Sequence, residues 1–205
     1  RAKVFFALGG NFVSASPDSA AVDRALRNCD LTVQVITKLN RTALATGKTS
    51  IILPCLGRSE IDLQASGEQF VSTESTMLNV QMSRGIFEPA SVHLRSETWI
   101  VCQLARAVFG ERTTVDWEAF GADYDLIRDA ISRVVPGCEN YNERIRATGG
   151  FYMPNPPREG KFTTPSGKAQ FVSSKLSKIE LPPGRLLMTT IRSHDQFNTT
   201  VYGFD

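Results

Sequence analysis

The chain has 205 residues, 41% of them hydrophobic, which suffices for one large domain or two smaller ones. Its 23 Lys and Arg against 21 Asp and Glu leave a net charge of +2 with no run of five like charges, so nothing points to a nucleic-acid partner or an acidic tail. The longest unbroken apolar stretches, such as Val4 to Leu8, fall far short of the roughly 20 residues a membrane helix requires, and the expectation is a cytoplasmic chain without membrane insertion.

Val4 to Leu8 is a short apolar run closed by Gly9-Gly10, and it predicts a strand buried on both faces of a parallel sheet. Ser16 and Pro17 suit the N-cap and first position of a helix in which Val22, Ala25, Leu26 and Cys29 recur at helical spacing. Leu31 to Ile36 is a second apolar strand, and Ser50 to Leu53 a third. The strand ends at Leu8, Ile36 and Leu53 then open on one carboxyl edge, where open α/β sheets bind ligands. From Gly57 to Pro89 the composition turns polar and predicts an extended excursion with one hairpin. Ser96 caps a helix ending at Gly110, and a further helix runs from Tyr124 to Val135, stopped by Pro136-Gly137; both are expected to cover the sheet. Residues 148–160 concentrate Gly and Pro and read as a linker. Beyond it, Lys161 to Ser174 suits a hairpin and Leu186 to Ile191 a strand.

The glycine loop after the first strand lets backbone approach an anionic ligand, although it lacks the third spaced glycine of the dinucleotide fingerprint. Gly47-Lys48-Thr49 is not a P-loop, because Thr42 stands where a glycine is required and a strand follows in place of a helix. Cys29, Cys55, Cys102 and Cys138 are too far apart for the paired spacing of a zinc or iron–sulfur site, and they read as reduced, buried residues. The two histidines, His93 and His194, form no metal pair; His93 reads as structural. His194 stands in a loop dense in donors and acceptors, Arg192 to Thr200, suited to a polar heterocycle.

Three segments together resemble one family: residues 7–18 (ALGGNFVSASPD); residues 31–41 (LTVQVITKLNR) with residues 52–60 (ILPCLGRSE); and residues 192–200 (RSHDQFNTT). They are similar to the molybdopterin oxidoreductases of the dimethyl-sulfoxide-reductase superfamily, with formate-dehydrogenase-like alpha subunits the nearest branch. The resemblance implies a much longer enzyme that holds molybdenum between two molybdopterin guanine dinucleotides, with a 4Fe–4S cluster in an upstream part of the same chain and an electron-transfer subunit as partner. It implies two-electron oxidation or reduction of a small substrate, formate foremost, with no catalytic residue and no metal ligand in this segment. Carried over by position, the first segment places Gly9, Gly10, Asn11 and Ser14 at the cofactor. The second places Thr37, Lys38 and Asn40 near its nucleotide and Glu60 facing the cleft. The third implicates Arg192, His194, Gln196, Asn198, Thr199 and Thr200. The acidic residue usual at the end of the second strand in that family is replaced here by Val35.

The expected fold is therefore α/β: a parallel-sheet, dinucleotide-binding-like domain with covering helices over residues 1–147, a linker at 148–160, and the beginning of a β-barrel over 161–205. Arg1 enters a strand within two residues and Asp205 follows an aromatic segment, so the expectation is a piece of a larger protein, inert alone. The alternative is a freestanding α/β nucleotide-binding or interaction module without redox chemistry.

Overall fold

A computed structural model describes residues 2–189, 196–197 and 200–201, the last four as backbone. The chain divides into two units, Arg1–Pro154 and Asn155–Asp205.

The first unit opens with β1 (Val4–Leu8), a short helix α1 (Phe12–Ala15), α2 (Ser19–Arg27), β2 (Leu31–Ile36), a 3-10 turn at Arg41–Leu44 and β3 (Thr49–Pro54). The strands pair in parallel in the order β1-β2-β3, with Phe6 opposite Val33 and Val33 opposite Ile51, so the fold is mixed α/β around a parallel sheet. Thr32 to Ile36 of the central strand are all buried, as expected where both faces and both edges are covered. β1 differs from expectation: Ala7 is buried and Phe5 packs on the Val13–Leu26–Ala45 cluster, whereas Val4, Phe6 and Leu8 stay partly exposed. An edge strand with one packed face explains this alternation.

The helix start also shifts. Pro17 holds the preceding Ser16 extended (ψ 142°), so Ser16 ends α1, its hydroxyl donating to Phe12 O. Asp18 caps α2 instead, accepting from Ala21 N at 2.8 Å.

The polar excursion forms two hairpins where one was expected. β4 (Asp62–Gln64) pairs with β5 (Gly67–Gln69), and β6 (Val71–Glu74) with β7 (Asn79–Ser83). Next comes α3 (Glu97–Phe109), capped by Ser96 Oγ on Trp99 N and ended at Gly110 with φ +54°, both as the sequence predicts. α4 (Trp117–Ala122), α5 (Tyr124–Val134) and α6 (Tyr141–Arg146) follow, and β8 (Phe151–Tyr152) adds to β7. Val80, Cys138, Tyr141, Ile145 and Phe151 make a second buried cluster, onto which Ile131 of α5 packs. That helix therefore covers the antiparallel strands, and the Gly- and Pro-rich stretch at 148–160 carries a strand and a core aromatic at its start. Gly150 is required there: its φ is +67°, and a Cβ would lie 1.9 Å from Val80 O.

In the second unit a 3-10 turn, Pro156–Glu159, is capped by Asn155. The hairpin expected at Lys161 to Ser174 does not form; Thr164 makes a local turn by donating to Lys168 O, and residues 169–181 and 185–189 have no regular structure. Strand propensity is unrealised because no described neighbour pairs with them, and Phe171, Leu176 and Leu186 stand almost fully exposed. The strand expected at Leu186 to Ile191 is absent over 186–189, and its remainder lies outside the described residues. β9 (Gln196–Phe197) and β10 (Thr200–Val201) form an antiparallel pair. No helix among the described residues is long and apolar enough to cross a membrane.

Candidate functional site

Parallel pairing brings the carboxyl ends of β1, β2 and β3 to one edge of the sheet, and a cavity of about 380 Å³ opens there. Gly9 and Gly10 line it after β1; Ile36, Thr37, Lys38 and Asn40 after β2; Leu56, Gly57, Arg58 and Glu60 after β3. The hairpins contribute Asp62, Gln69, Phe70, Val71, Ser83 and Gly85, and the start of α3 contributes Ser96, Glu97 and Thr98. Six residues expected at the site, Gly9, Gly10, Thr37, Lys38, Asn40 and Glu60, thus meet on one cavity.

The first two loops are fastened together by hydrogen bonds. Gly9 N donates to Val35 O at 2.8 Å, and both Gly9 and Gly10 have positive φ, +67° and +77°, which explains the glycine pair. Asn40 donates from Nδ2 to Gly10 O at 2.8 Å while its Oδ1 accepts from Thr42 N at 2.9 Å. The buried Thr42 hydroxyl donates to Asn11 Oδ1 and accepts from Val13 N. Asn11 therefore holds the loop in shape from behind, and neither it nor the half-buried Ser14 lines the cavity. A loop so pinned presents fixed backbone groups, the preorganisation that tight ligand binding uses.

Glu60 has a use the sequence did not reveal. Its Oε2 accepts from Gly57 N at 2.5 Å and its Oε1 from Ala90 N at 2.6 Å, so the carboxylate clasps two loops at the cavity wall. Gly85 passes so close that a Cβ there would fall 1.9 Å from Glu60 O. Asp62 is likewise engaged: Gln64 Nε2 donates to one oxygen at 2.5 Å, and Tyr124 OH donates to the other at 2.7 Å. The Tyr124 hydroxyl is also 2.5 Å from Ser96 Oγ, and Tyr124 N donates to Gln69 Oε1. Burial pushes the Tyr124 phenol well above its usual range, and the Asp62 carboxylate adds to the effect.

Three charged side chains on the cavity are not consumed in this way. Lys38, Arg58 and Glu97 have no side-chain hydrogen bond or ion pair among the described residues. Lys38 and Arg58 stand on the loops after β2 and β3; Glu97 stands at the first position of α3, its Oε1 only 3.2 Å from where a Gly9 Cβ would be. Arg58, Asp62, Glu97 and Thr98 were missed as site residues. The cap at Ser96 announces a helix start, but only the tertiary fold reveals that this start faces the glycine loop.

Cys55 sits beneath this edge, and burial pushes its thiol up to about 11, with the Glu97 and Glu60 charges acting in the same direction. All four cysteines are free and buried. Among the described residues no three His, Cys, Asp or Glu side chains are grouped to hold a metal. His93 is exposed, and its backbone N–H donates to Ser91 Oγ. Arg192, His194, Asn198 and Thr199 lie outside the described residues; Gln196 and Thr200 are placed in β9 and β10 as backbone.

No protein-family model matches the chain. Over its whole length it is 53% identical to an uncharacterized oxidoreductase of Mycobacterium tuberculosis (strain H37Rv), covering 26% of that protein. It shares the same identity and coverage with an uncharacterized oxidoreductase of Mycobacterium bovis. It is 46% identical to protein YdeP of Escherichia coli (strain K12), again along the whole chain and over 27% of the relative. The chain thus spans about a quarter of the length of these curated relatives.

Proposed function

We propose that this chain is the nucleotide-holding part of a longer molybdopterin-dependent oxidoreductase, formate-dehydrogenase-like in branch, and that its cavity takes the guanine dinucleotide portion of the cofactor. The observation that carries the reading is the convergence of Gly9, Gly10, Thr37, Lys38 and Asn40 on one cavity at the carboxyl edge of a parallel sheet. Relatives named oxidoreductases, similar along the whole chain, support a redox setting.

The donor set fits a nucleotide. Two uncommitted cations suit phosphate oxygens, threonine hydroxyls and glycine backbone give neutral hydrogen bonds, and 380 Å³ lies within the range of small-molecule sites. The bound cofactor would supply two-electron chemistry at molybdenum, with formate the leading substrate. This chain's residues would bind and orient the nucleotide arm. Residues 161–205, with Arg192, His194, Gln196, Asn198, Thr199 and Thr200, would open a barrel that covers the pterin. Other domains of the same protein would supply the metal ligand and a 4Fe–4S cluster, and a separate subunit would carry electrons away.

The full-length protein, produced in a host that makes the cofactor, tests this. Expected are molybdenum by elemental analysis and guanine nucleotide released by acid in a fixed ratio, with both reduced at least several-fold in the Lys38→Ala/Arg58→Ala double variant. Protein that carries neither molybdenum nor guanine nucleotide overturns the reading. Binding of a simple nucleotide with no metal would favour the freestanding module.

A further inference from the structure

The charges on the cavity are sorted, and the sorting gives a bound nucleotide a direction. Three carboxylates line the cavity, but Glu60 and Asp62 already accept two donors each. Glu97 alone of the three is uncommitted, and it faces Gly9 with Oε1 at 3.2 Å from the Cβ position. A phosphate seated against the Gly9-Gly10 turn would meet a carboxylate of like charge, so this glycine turn is a poor phosphate cradle despite its shape. The uncommitted positive charges, Lys38 and Arg58, belong to the other two loops.

We propose that Glu97 is the base-reading residue of this cavity: it accepts hydrogen bonds from the donor edge of guanine beside Gly9, while Lys38 and Arg58 hold the phosphates. A carboxylate offers only acceptors, so its complement is a group with two adjacent N–H donors. Guanine presents that pair on N1 and its 2-amino group, whereas adenine presents one amino donor next to an acceptor nitrogen. The end of β2 cannot make this contact, because Val35 is apolar and fully buried. Glycine at position 9 leaves the Glu97 carboxylate unobstructed, since even one methyl group there would crowd Oε1. The proposal rests on the nucleotide reading above.

Calorimetric titration of the full chain with guanosine, adenosine and inosine diphosphates tests it. The expected result is tighter binding of the guanine form than of the adenine form, an intermediate loss for inosine, which lacks the 2-amino group, and at least a tenfold loss for guanosine diphosphate in Glu97→Gln. Adenosine diphosphate binding should be unchanged or improved in that variant, with its circular-dichroism melt superimposed on that of the parent. Lys38→Ala/Arg58→Ala should weaken guanosine diphosphate but leave guanosine itself unaffected. If the chain binds guanine and adenine forms equally, or Glu97→Gln leaves their ratio unchanged, Glu97 does not read the base while the nucleotide reading survives. If 2′,3′-dideoxyguanosine diphosphate loses as much with the parent protein as guanosine diphosphate does with Glu97→Gln, the carboxylate holds the ribose and the base-reading role is wrong. Failure of every nucleotide to bind overturns the underlying reading instead.

Discussion

The Tyr124 hydroxyl donates to the Asp62 carboxylate at 2.7 Å, joining the first residue of α5 to the first residue of β4 across 62 positions of sequence. Tyr124→Phe leaves Asp62 and Ser96 each short of a partner at a buried wall, and should lower unfolding stability by about 1–3 kcal/mol in urea titration. The pH dependence has a defined sign. The folded-state phenol is raised above its ordinary 10.0, so only the unfolded chain ionises this group as pH passes 10. The stability contribution is complete below pH 10 and declines above it, and the decline should be shallower in Tyr124→Phe. Parallel slopes for the two proteins would contradict the assignment.

Arg128 is buried and pairs with Asp125, which Arg146 also engages from a more exposed position. Burial of Asp125 works against its charge, but hydrogen bonds from Arg146 and Arg128 prevail and hold the carboxyl below its usual range. Asp125→Ala would leave a buried guanidinium held only by Phe70 O, Asn142 and the Phe70 ring, a loss of about 2 kcal/mol or more. A depressed folded-state pKa means that this stability is present above pH 3.8 and is lost as pH falls through the lower folded value. Stability should therefore fall more steeply with acid below pH 3.8 in the parent than its remaining carboxylates alone would cause, and Asp125→Ala should flatten that limb.

Glu60 acts through the backbone it clasps. Glu60→Ala frees Gly57 N and Ala90 N, and affinity for the proposed nucleotide should fall through the loosened loops. Glu60→Gln keeps one acceptor and should recover part of the loss. Gly85→Ala forces a methyl group into Glu60 O and should cost stability well beyond the ordinary surface change of about 0.5 kcal/mol. A Gly85→Ala protein with an unchanged melting curve would show that the loop yields freely.

The thiol of Cys55, pushed up to about 11, is neither ionised nor exposed near neutrality. Titration with a disulfide reagent should find it unreactive in the native protein at pH 8 and released on unfolding. Rapid native reaction at Cys55 would contradict its burial.

The parallel core was legible because each signal was local: an apolar run ending in Gly9-Gly10, an unbroken Leu31 to Ile36, and Ser96 and Gly110 bracketing a helix at the residues observed. What escaped was set by distance in sequence. Asp62, Gln69 and Tyr124 are unremarkable polar residues until the fold brings them together, and nothing local in the sequence shows that the Glu60 oxygens accept from Gly57 N and Ala90 N. The hairpins at 62–83 use short strands with mixed polarity, which leave almost no alternation to read. The expected strands at 161–174 had the residues but no pairing neighbour among the described residues, and pairing is what turns such propensity into structure.

The two apolar clusters of the first unit share no residue: one gathers Val13, Leu26 and Ala45, the other Val80, Cys138, Tyr141, Ile145 and Phe151. The cavity takes walls from both neighbourhoods, Gly9 and Gly10 from the β1 side and Phe70, which packs on the second cluster, from the other. The two halves should therefore open as separate cooperative blocks in amide hydrogen exchange, and an occupant gripping both walls would merge them into one. Ligand binding would then be read as slower exchange in Ile145 and Leu26 alike, neither of which lines the cavity.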